Sequence, residues 1–350
     1  MTGERSEPVA TAKDAAVSWR KRGLVAFKLA VAVGCMVMVS RQIDPANLRK
    51  LLENLEPGWV ALAILMIALE VPLVGERWRL VVTSLGRGMY QLPHGDVHAV
   101  NGFGQFVSQV LPNLAGDGVR ALMLRSHGVT LPHAAWSVLL DRALGVHSLF
   151  LMAFAFLLLP SGLESLGGYR QPVLLTVALV AMGGTLALLS ARPLGAMLER
   201  RQMLRFLGVA LTETHAALLG PNAVKLFAIS ALVHGLTILC IFALGRAIGL
   251  ALPLADAAVL MVYIMVITLL PISVGGWGVR ELAVTALLTA HGASAEEAVV
   301  FSVAFGMTVM LATVPGALYW LFRRNASMRA AESDSAQRAP QTDQTEKTGM

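Results

Sequence analysis

The sequence predicts an all-α integral membrane protein with about six spanning helices, two re-entrant broken-helix hairpins in an inverted repeat, and both termini cytoplasmic. Three observations carry this. Hydrophobic residues make up 56% of the 350 and charged residues 14%, with a mean hydropathy of +0.65, whereas a soluble domain carries roughly 25% charged residues. Six runs contain no Asp, Glu, Lys or Arg: 97–116, 143–163, 171–191, 226–245, 257–279 and 298–322. Each is near or above the ~20 apolar residues that cross the hydrocarbon core as a helix. Finally, one proline- and glycine-broken motif occurs twice, about 160 residues apart.

The elements follow in chain order. Residues 1–22 form a basic cytoplasmic N-terminus, and a polytopic membrane domain occupies 23–323. The run 23–40 contains only Lys28 and lacks a small-residue cleavage site, so it reads as a retained helix and not a signal peptide. DPANLRKLLENLEP (44–57) sets Leu48, Leu51, Leu52 and Leu55 against charges, which predicts an amphipathic helix on the outer interface. The run 58–75 spans with Glu70 as its single charge, and Glu76-Arg77-Trp78-Arg79 at its inner end reads as a snorkelling anchor with Trp78 at the interface. Further spans are expected at 134–159, 171–190, 222–248 and 298–322. Lys225 and Arg246, near the two ends of one span, read as anchors too. The segment 193–219, with Arg200, Arg201 and Arg205, is expected on the inner interface, and the polar residues 324–350 as a disordered cytoplasmic tail. Cys35 and Cys240 lie in different apolar runs, so neither a disulfide framework nor a thiolate metal site follows.

Lys and Arg fix the expected orientation. Seventeen of the 28 fall in segments assigned to the cytoplasm (1–23, 76–93, 191–221 and 323–350), and four in those assigned to the opposite side. That asymmetry places both termini inside. The sequence pI of about 9.7 is then met by a basic face against anionic lipid, and no nucleic acid is needed.

Residues 106–120 read FVSQVLPNLAGDGVR and residues 265–280 read MVITLLPISVGGWGVR. Each has an apolar approach, Leu-Pro, a short stretch of small residues that contains glycine, then Gly-Val-Arg. His127-Gly128 follows the first and His291-Gly292 the second, and SVLLDRALG (137–145) answers AVVFSVAFG (298–306). Four matched features in order indicate a duplicated unit, repeat 1 at about 95–159 and repeat 2 at about 254–322. If each motif is a hairpin tip, the three spans between them turn the second hairpin to the opposite face. The first hairpin would break over Pro112, Gly116 and Gly118, the second over Pro271, Gly275, Gly276 and Gly278. The simpler alternative is a proline kink in an ordinary span.

Charges gather at these breaks. Arg120 and Arg280 are each expected in the first turn of a returning half-helix, where the dipole disfavours a cation unless an anion joins it. Asp117 and Glu281 sit at the same helix starts and would hold the arginines in the absence of a ligand. Asp141 and Arg142 point about 100° apart on one span, so each should pair across helices, with Arg120 or Glu281 as candidate partners. An ionised group at membrane depth costs roughly 2.5–3.5 kcal/mol even on lenient scales, which makes a substrate site at Asp117, Arg120, Asp141, Arg142, Arg280 and Glu281 the leading reading over a structural ion-pair network.

Other chemistries fail on spacing. Neither NGFGQF nor GGWGVR completes a dinucleotide fingerprint, there is no phosphate-binding P-loop, and no nucleophile-base pair is readable. His94-Gly95-Asp96-Val97-His98 has metal-ligand character without a further ligand set, so no metal and no cofactor is expected.

Leu-Pro, the glycine-rich loop, Gly116-Asp117-Gly118-Val119-Arg120 and Gly275-Gly276-Trp277-Gly278-Val279-Arg280-Glu281 together resemble the flippase-like membrane domain of lysylphosphatidylglycerol synthases, the multiple peptide resistance factors, over roughly residues 20–323. Stand-alone members occur in bacteria and archaea. The resemblance implies movement of a lipid with a charged head group between leaflets of the bacterial cytoplasmic membrane, with the hairpin charges at the cavity. Only a short polar tail follows residue 323, so synthase activity is not implied and the protein is expected not to be an enzyme. Two alternatives stay open: an accessory subunit docking a lipid- or glycolipid-synthesising enzyme, and a membrane-embedded lipid-modifying enzyme using Asp117, Asp141 and the arginines.

Overall fold

The computed structural model describes residues 30, 33–38, 40–41, 43–85, 89–90, 92–111, 113–158, 170–269, 276–290 and 292–338. Among them the chain forms helices and turns and no strand. In chain order the α-helices are α1 (Pro45–Glu53), α2 (Pro57–Ser84), α3 (His94–Val110), α4 (Asn113–Leu124), α5 (Leu131–Leu157), α6 (Arg170–Glu199), α7 (Arg205–Leu218), α8 (Ala223–Ala247), α9 (Leu254–Leu269), α10 (Val279–Ala290) and α11 (Ala295–Arg338).

Five of these are apolar enough to span a membrane: α2, α5, the Gln171–Glu199 part of α6, α8 and the Ala295–Phe322 part of α11, each between 25 and 29 residues long. At about 1.5 Å per residue even the shortest exceeds the ~30 Å hydrocarbon thickness. They match five of the six expected spans, and the sixth, 23–40, lies mostly outside the described residues. The chain is therefore an all-α, multi-pass membrane protein.

Local chemistry sets the helix starts. The Asp44 carboxylate accepts the Ala46 N–H at 3.0 Å and caps α1, with Pro45 in the first turn, where its missing N–H costs nothing. Leu48 and Leu51 then pack on the core, while the Asp44 N–H donates to Glu296 at 2.8 Å and ties α1 to the start of α11. At the centre α2 lies along α8, and α2 also meets α3, α5 and α11. Its Ala63 and Ile67 face inward while Leu62, Leu65 and Leu69 face outward, as expected of a helix with lipid on one side.

Three boundaries differ from expectation. Helix α6 continues to Glu199 through Pro193, so the anticipated interfacial segment 193–219 is split between the end of α6 and a separate α7 packed back on it. Thr212 Oγ1 donates to the Glu199 carboxylate at 2.8 Å across that junction. Helix α11 runs on to Arg338, past the expected boundary at 323, through a stretch holding Ala330, Ala331, Glu332, Ala336 and Gln337, which are good helix formers. Finally, the first break is shorter than expected, because α3 runs to Val110 and α4 begins at Asn113; Pro112 itself lies outside the described residues. Gly116, Asp117 and Gly118 are thus helical. A Cβ at Gly116 would collide with Ser108 Oγ and the Gly104 carbonyl of α3, so this glycine serves close packing of α4 on α3 and not chain irregularity.

The second break is longer, from the end of α9 at Leu269 to the start of α10 at Val279. Pro271 and Gly275 lie outside the described residues. Gly276 and Gly278 have φ of +80° and +84°, a region glycine enters without steric cost.

Candidate functional site

Helix α2 contributes the first departure from the sequence reading. Arg77 and Trp78 are 6% and 0% exposed, so Arg77-Trp78 is no interfacial anchor. The cause is a partner distant in sequence: Arg77 Nε donates to Asp141 Oδ1 at 2.8 Å, and Arg77 Nη1 to Ser230 Oγ at 3.3 Å. Trp78 Nε1 donates to Ser137 Oγ at 3.2 Å, and its ring lies 4.2 Å below the Arg120 guanidinium. Glu76 and Arg79 do stay at the rim, paired at 2.8 Å, and Lys225 joins Glu76 at 3.1 Å.

Helix α5 turns Asp141 inward and Arg142 to another side, as their angular separation requires. Besides Arg77, Asp141 accepts from Arg120 Nη2 at 3.1 Å. Arg142 grips Asp117 through two N–H groups at 3.0 and 3.1 Å, and Arg120 Nη1 lies 3.6 Å from Asp117. The expected Asp141–Arg120 pairing is present, and Glu281 takes no part in it. The result is an alternating chain, Arg77, Asp141, Arg120, Asp117, Arg142, with three cations and two anions. Arg120 lies well inside α4 and not in its first turn, so the dipole argument does not apply to it; opposed carboxylates hold it instead.

The second copy is organised differently. Arg280 and Glu281, 3% and 0% exposed, do stand in the first turn of α10. Glu281 Oε2 accepts the Gly278 N–H at 2.6 Å and Oε1 accepts Arg280 Nε at 3.1 Å. The carboxylate thus sits over the helix start, where the dipole favours an anion, and Arg280 meets it there although neighbours on a helix ordinarily diverge. The Arg280 guanidinium also lies 4.7 Å from the Trp277 ring and 5.9 Å from that of Phe305. Ser302, which answers Asp141 in the sequence match, lies 3.5 Å from Glu281 Oε1. Arg120 is therefore held by Asp141 of the next span at 3.1 Å and by Asp117 of its own helix at 3.6 Å, Arg280 by Glu281 of its own helix.

Both groups border one partly open cavity of about 270 Å³, with Glu70, Arg77, Arg120, Asp141, Arg142 and Arg280 in its wall. That is slightly below the roughly 300–1,000 Å³ of an ordinary small-molecule pocket. Two buried N–H donors at the wall, Arg120 Nε and Gln105 Nε2, have no acceptor among the described residues. Sequence reasoning passed over Arg77, because it ended the span at Gly75, and gave Glu70 no role. A lone carboxylate in the middle of a span was the available signal. Glu70 accepts from Thr237 Oγ1 at 2.8 Å and is in no ion pair among the described residues.

His94 and His98, one turn apart on α3, approach Glu76 closely enough for the three to offer ligand atoms within 4.8 Å of one another. The Glu76 carboxylate already serves Arg79 and Lys225 there.

The family model described as Lysylphosphatidylglycerol synthase TM region matches residues 25–316. A search of curated proteins finds no match.

Proposed function

The chain belongs to the family of the lysylphosphatidylglycerol synthase TM region, and on that premise we propose that it carries a lipid with an anionic, phosphate-containing or aminoacylated head group between leaflets by alternating access. The observation that carries this reading is the charge chain that borders one cavity among helices of spanning length. Three arginines share two aspartates there, leaving one positive charge in excess beside the unpartnered Nε of Arg120. With Glu70 uncharged, an anionic head group would neutralise that excess and accept the free N–H.

The topology supports the same mechanism. With 17 and 12 residues, α3 and α4 are together long enough for a hairpin and each short for a full crossing; α9 and α10, with 16 and 12, repeat the pattern. Three spanning helices, α5, α6 and α8, separate the two pairs, so a re-entrant reading makes them opposed. In each half-cycle the head group would exchange its bulk water for Arg120 and Arg280 while the acyl chains stay in lipid. Asp117, Asp141 and Glu281 would hold the arginines between cycles, which keeps the empty site from burying bare cations. We read the protein as a carrier and not an enzyme, in a bacterial cytoplasmic membrane with both termini inside. Removing the buried Arg77 and its neighbour Arg79 from the cytoplasmic count leaves fifteen basic residues against four, and the asymmetry survives.

The test is reconstitution into vesicles with fluorescent phosphatidylglycerol, lysylphosphatidylglycerol and polyprenyl phosphate, measuring transbilayer movement for the native protein, Arg120→Ala and Arg280→Ala. The reading expects movement of at least one lipid above empty vesicles and its loss in both variants. Native protein indistinguishable from empty vesicles would defeat the carrier reading; variants that match it would defeat the site.

A further inference from the structure

Glu70 stands apart from the other carboxylates of the cavity. Asp117, Asp141 and Glu281 each have an arginine within hydrogen-bond reach, whereas among the described residues Glu70, in the middle of α2, has the Thr237 hydroxyl of α8 as its one hydrogen-bond partner. That hydroxyl has one hydrogen and two acceptors, Glu70 Oε2 at 2.8 Å and the Val233 carbonyl at 3.1 Å. An ionised Glu70 must compete with Val233 for it. A protonated Glu70 donates its own O–H to Thr237 Oγ1 and leaves the Thr237 hydrogen to Val233, so both hydroxyl hydrogens have an acceptor.

The charges of the cavity lead to the same protonation state. Arg77, Arg120, Arg142 and Arg280 face Asp117, Asp141 and Glu281, which leaves one positive charge, and an ionised Glu70 cancels it. An anionic head group arriving in that neutral cavity would bury a net negative charge, a cost of kilocalories at membrane depth. Uptake of one proton by Glu70 removes the cost.

We propose that Glu70 is the coupling-ion site, binding the proton that accompanies each anionic head group through the cavity. The inference rests on the carrier reading of the same cavity. In the step itself the Glu70 carboxylate takes a proton from water on the open side as the head group settles on Arg120 and Arg280. The O–H bond breaks and the proton returns to water when the head group leaves on the other. No further reactant is needed, and a proton gradient would supply the drive.

The groups facing Glu70 leave this role to it. On its own helix Arg77 is committed to Asp141. From α8 come His234, whose Nε2 is bonded to the Gly145 carbonyl at 2.9 Å, and the Cys240 thiol. From α4, α5 and α10 come the paired Arg120, Asp141, Arg142 and Arg280. Helices α3, α9 and α11 bring only Gln105, Ser108, Gln109, Thr268 and apolar residues to the cavity, and His98 of α3 lies against Gly75 instead.

Two measurements separate this inference from the carrier reading. In vesicles clamped at zero membrane potential, the steady-state leaflet distribution of fluorescent phosphatidylglycerol is read with and without a gradient of about one pH unit, which is worth about tenfold for one proton per lipid. Native protein should shift the distribution by up to that factor and Glu70→Gln by none, while Glu70→Asp keeps the response. In detergent, proton uptake on binding of dihexanoyl phosphatidylglycerol is followed near neutral pH with a pH indicator. About one proton should be taken up per head group by native protein and none by Glu70→Gln. Lipid movement in vesicles with equal proton uptake by native protein and Glu70→Gln overturns the Glu70 assignment and leaves the carrier reading intact. Proton uptake that depends on Glu70 without lipid movement upholds the proton site and defeats the carrier reading.

Discussion

Asp141 is the hinge of the charge chain, and its neutralisation is the sharpest stability prediction. Its two oxygens serve two arginines, Arg77 at 2.8 Å and Arg120 at 3.1 Å, and all three residues are at most 6% exposed. In Asp141→Asn the shape is kept, but among the described residues Arg77 loses its ion-pair partner and Arg120 keeps Asp117 alone, at 3.6 Å. Leaving a buried charge without its partner costs about 3–5 kcal/mol, a factor of more than ~100 in the folded population. Removing both charges should cost far less, so Arg77→Met with Asp141→Asn should recover at least half of that loss. The assay is reversible unfolding in mixed micelles with increasing denaturing detergent, on the native protein, the two single variants and the double variant. A cost below ~1 kcal/mol for Asp141→Asn, or strictly additive single variants, would refute the claim that the three residues form one buried unit.

Other consequences are smaller and differ in kind. Arg142 is about half exposed where it grips Asp117, so Arg142→Gln should lower unfolding stability by no more than ~1 kcal/mol in the same assay. Gly116→Ala drives a methyl into Ser108 and the Gly104 carbonyl, which should cost about 1–3 kcal/mol and slow lipid movement by separating α4 from α3. Gly278→Ala should cost about 1 kcal/mol or more from its φ of +84°, read as a lower unfolding midpoint. Glu281→Gln removes the anion over the start of α10 and the partner of a buried arginine, and should cost about 3 kcal/mol or more.

Much of the fold is written in the runs between charges. The spans α2, α5, α6, α8 and α11 were readable because lipid tolerates few ionised groups and a helix must be long enough to cross. The same rule hid Arg77: counting charges along the chain ends a span at the first arginine, and nothing local to Arg77 shows that Asp141 lies beside it. The candidate residues came from the two matched motifs and the span after the first, and the structure gathers Asp117, Arg120, Asp141 and Arg142 into one charge chain and Arg280 with Glu281 into a separate pair, with Arg120, Asp141, Arg142 and Arg280 lining one cavity. Their partnerships were only half legible. The cross-helix pairing of Asp141 with Arg120 follows from the angle between neighbours on α5, whereas Glu281 bends back to the Gly278 N–H, a contact set by the shape of the break. Gly116 and Gly118 looked like loop residues, yet both are helical and Gly116 serves where two helices touch, and sequence alone does not separate those uses.

The central claim is that one cavity opens in turn to both faces of the membrane. Gln109 of α3 lines that cavity beside the first break. With Cys35 and Cys240 replaced by alanine, Gln109→Cys can be labelled with a membrane-impermeant thiol reagent from either side of oriented vesicles. The account predicts labelling from both sides, slowed from both by anionic lipid; labelling from one side alone, whatever lipid is present, would contradict it.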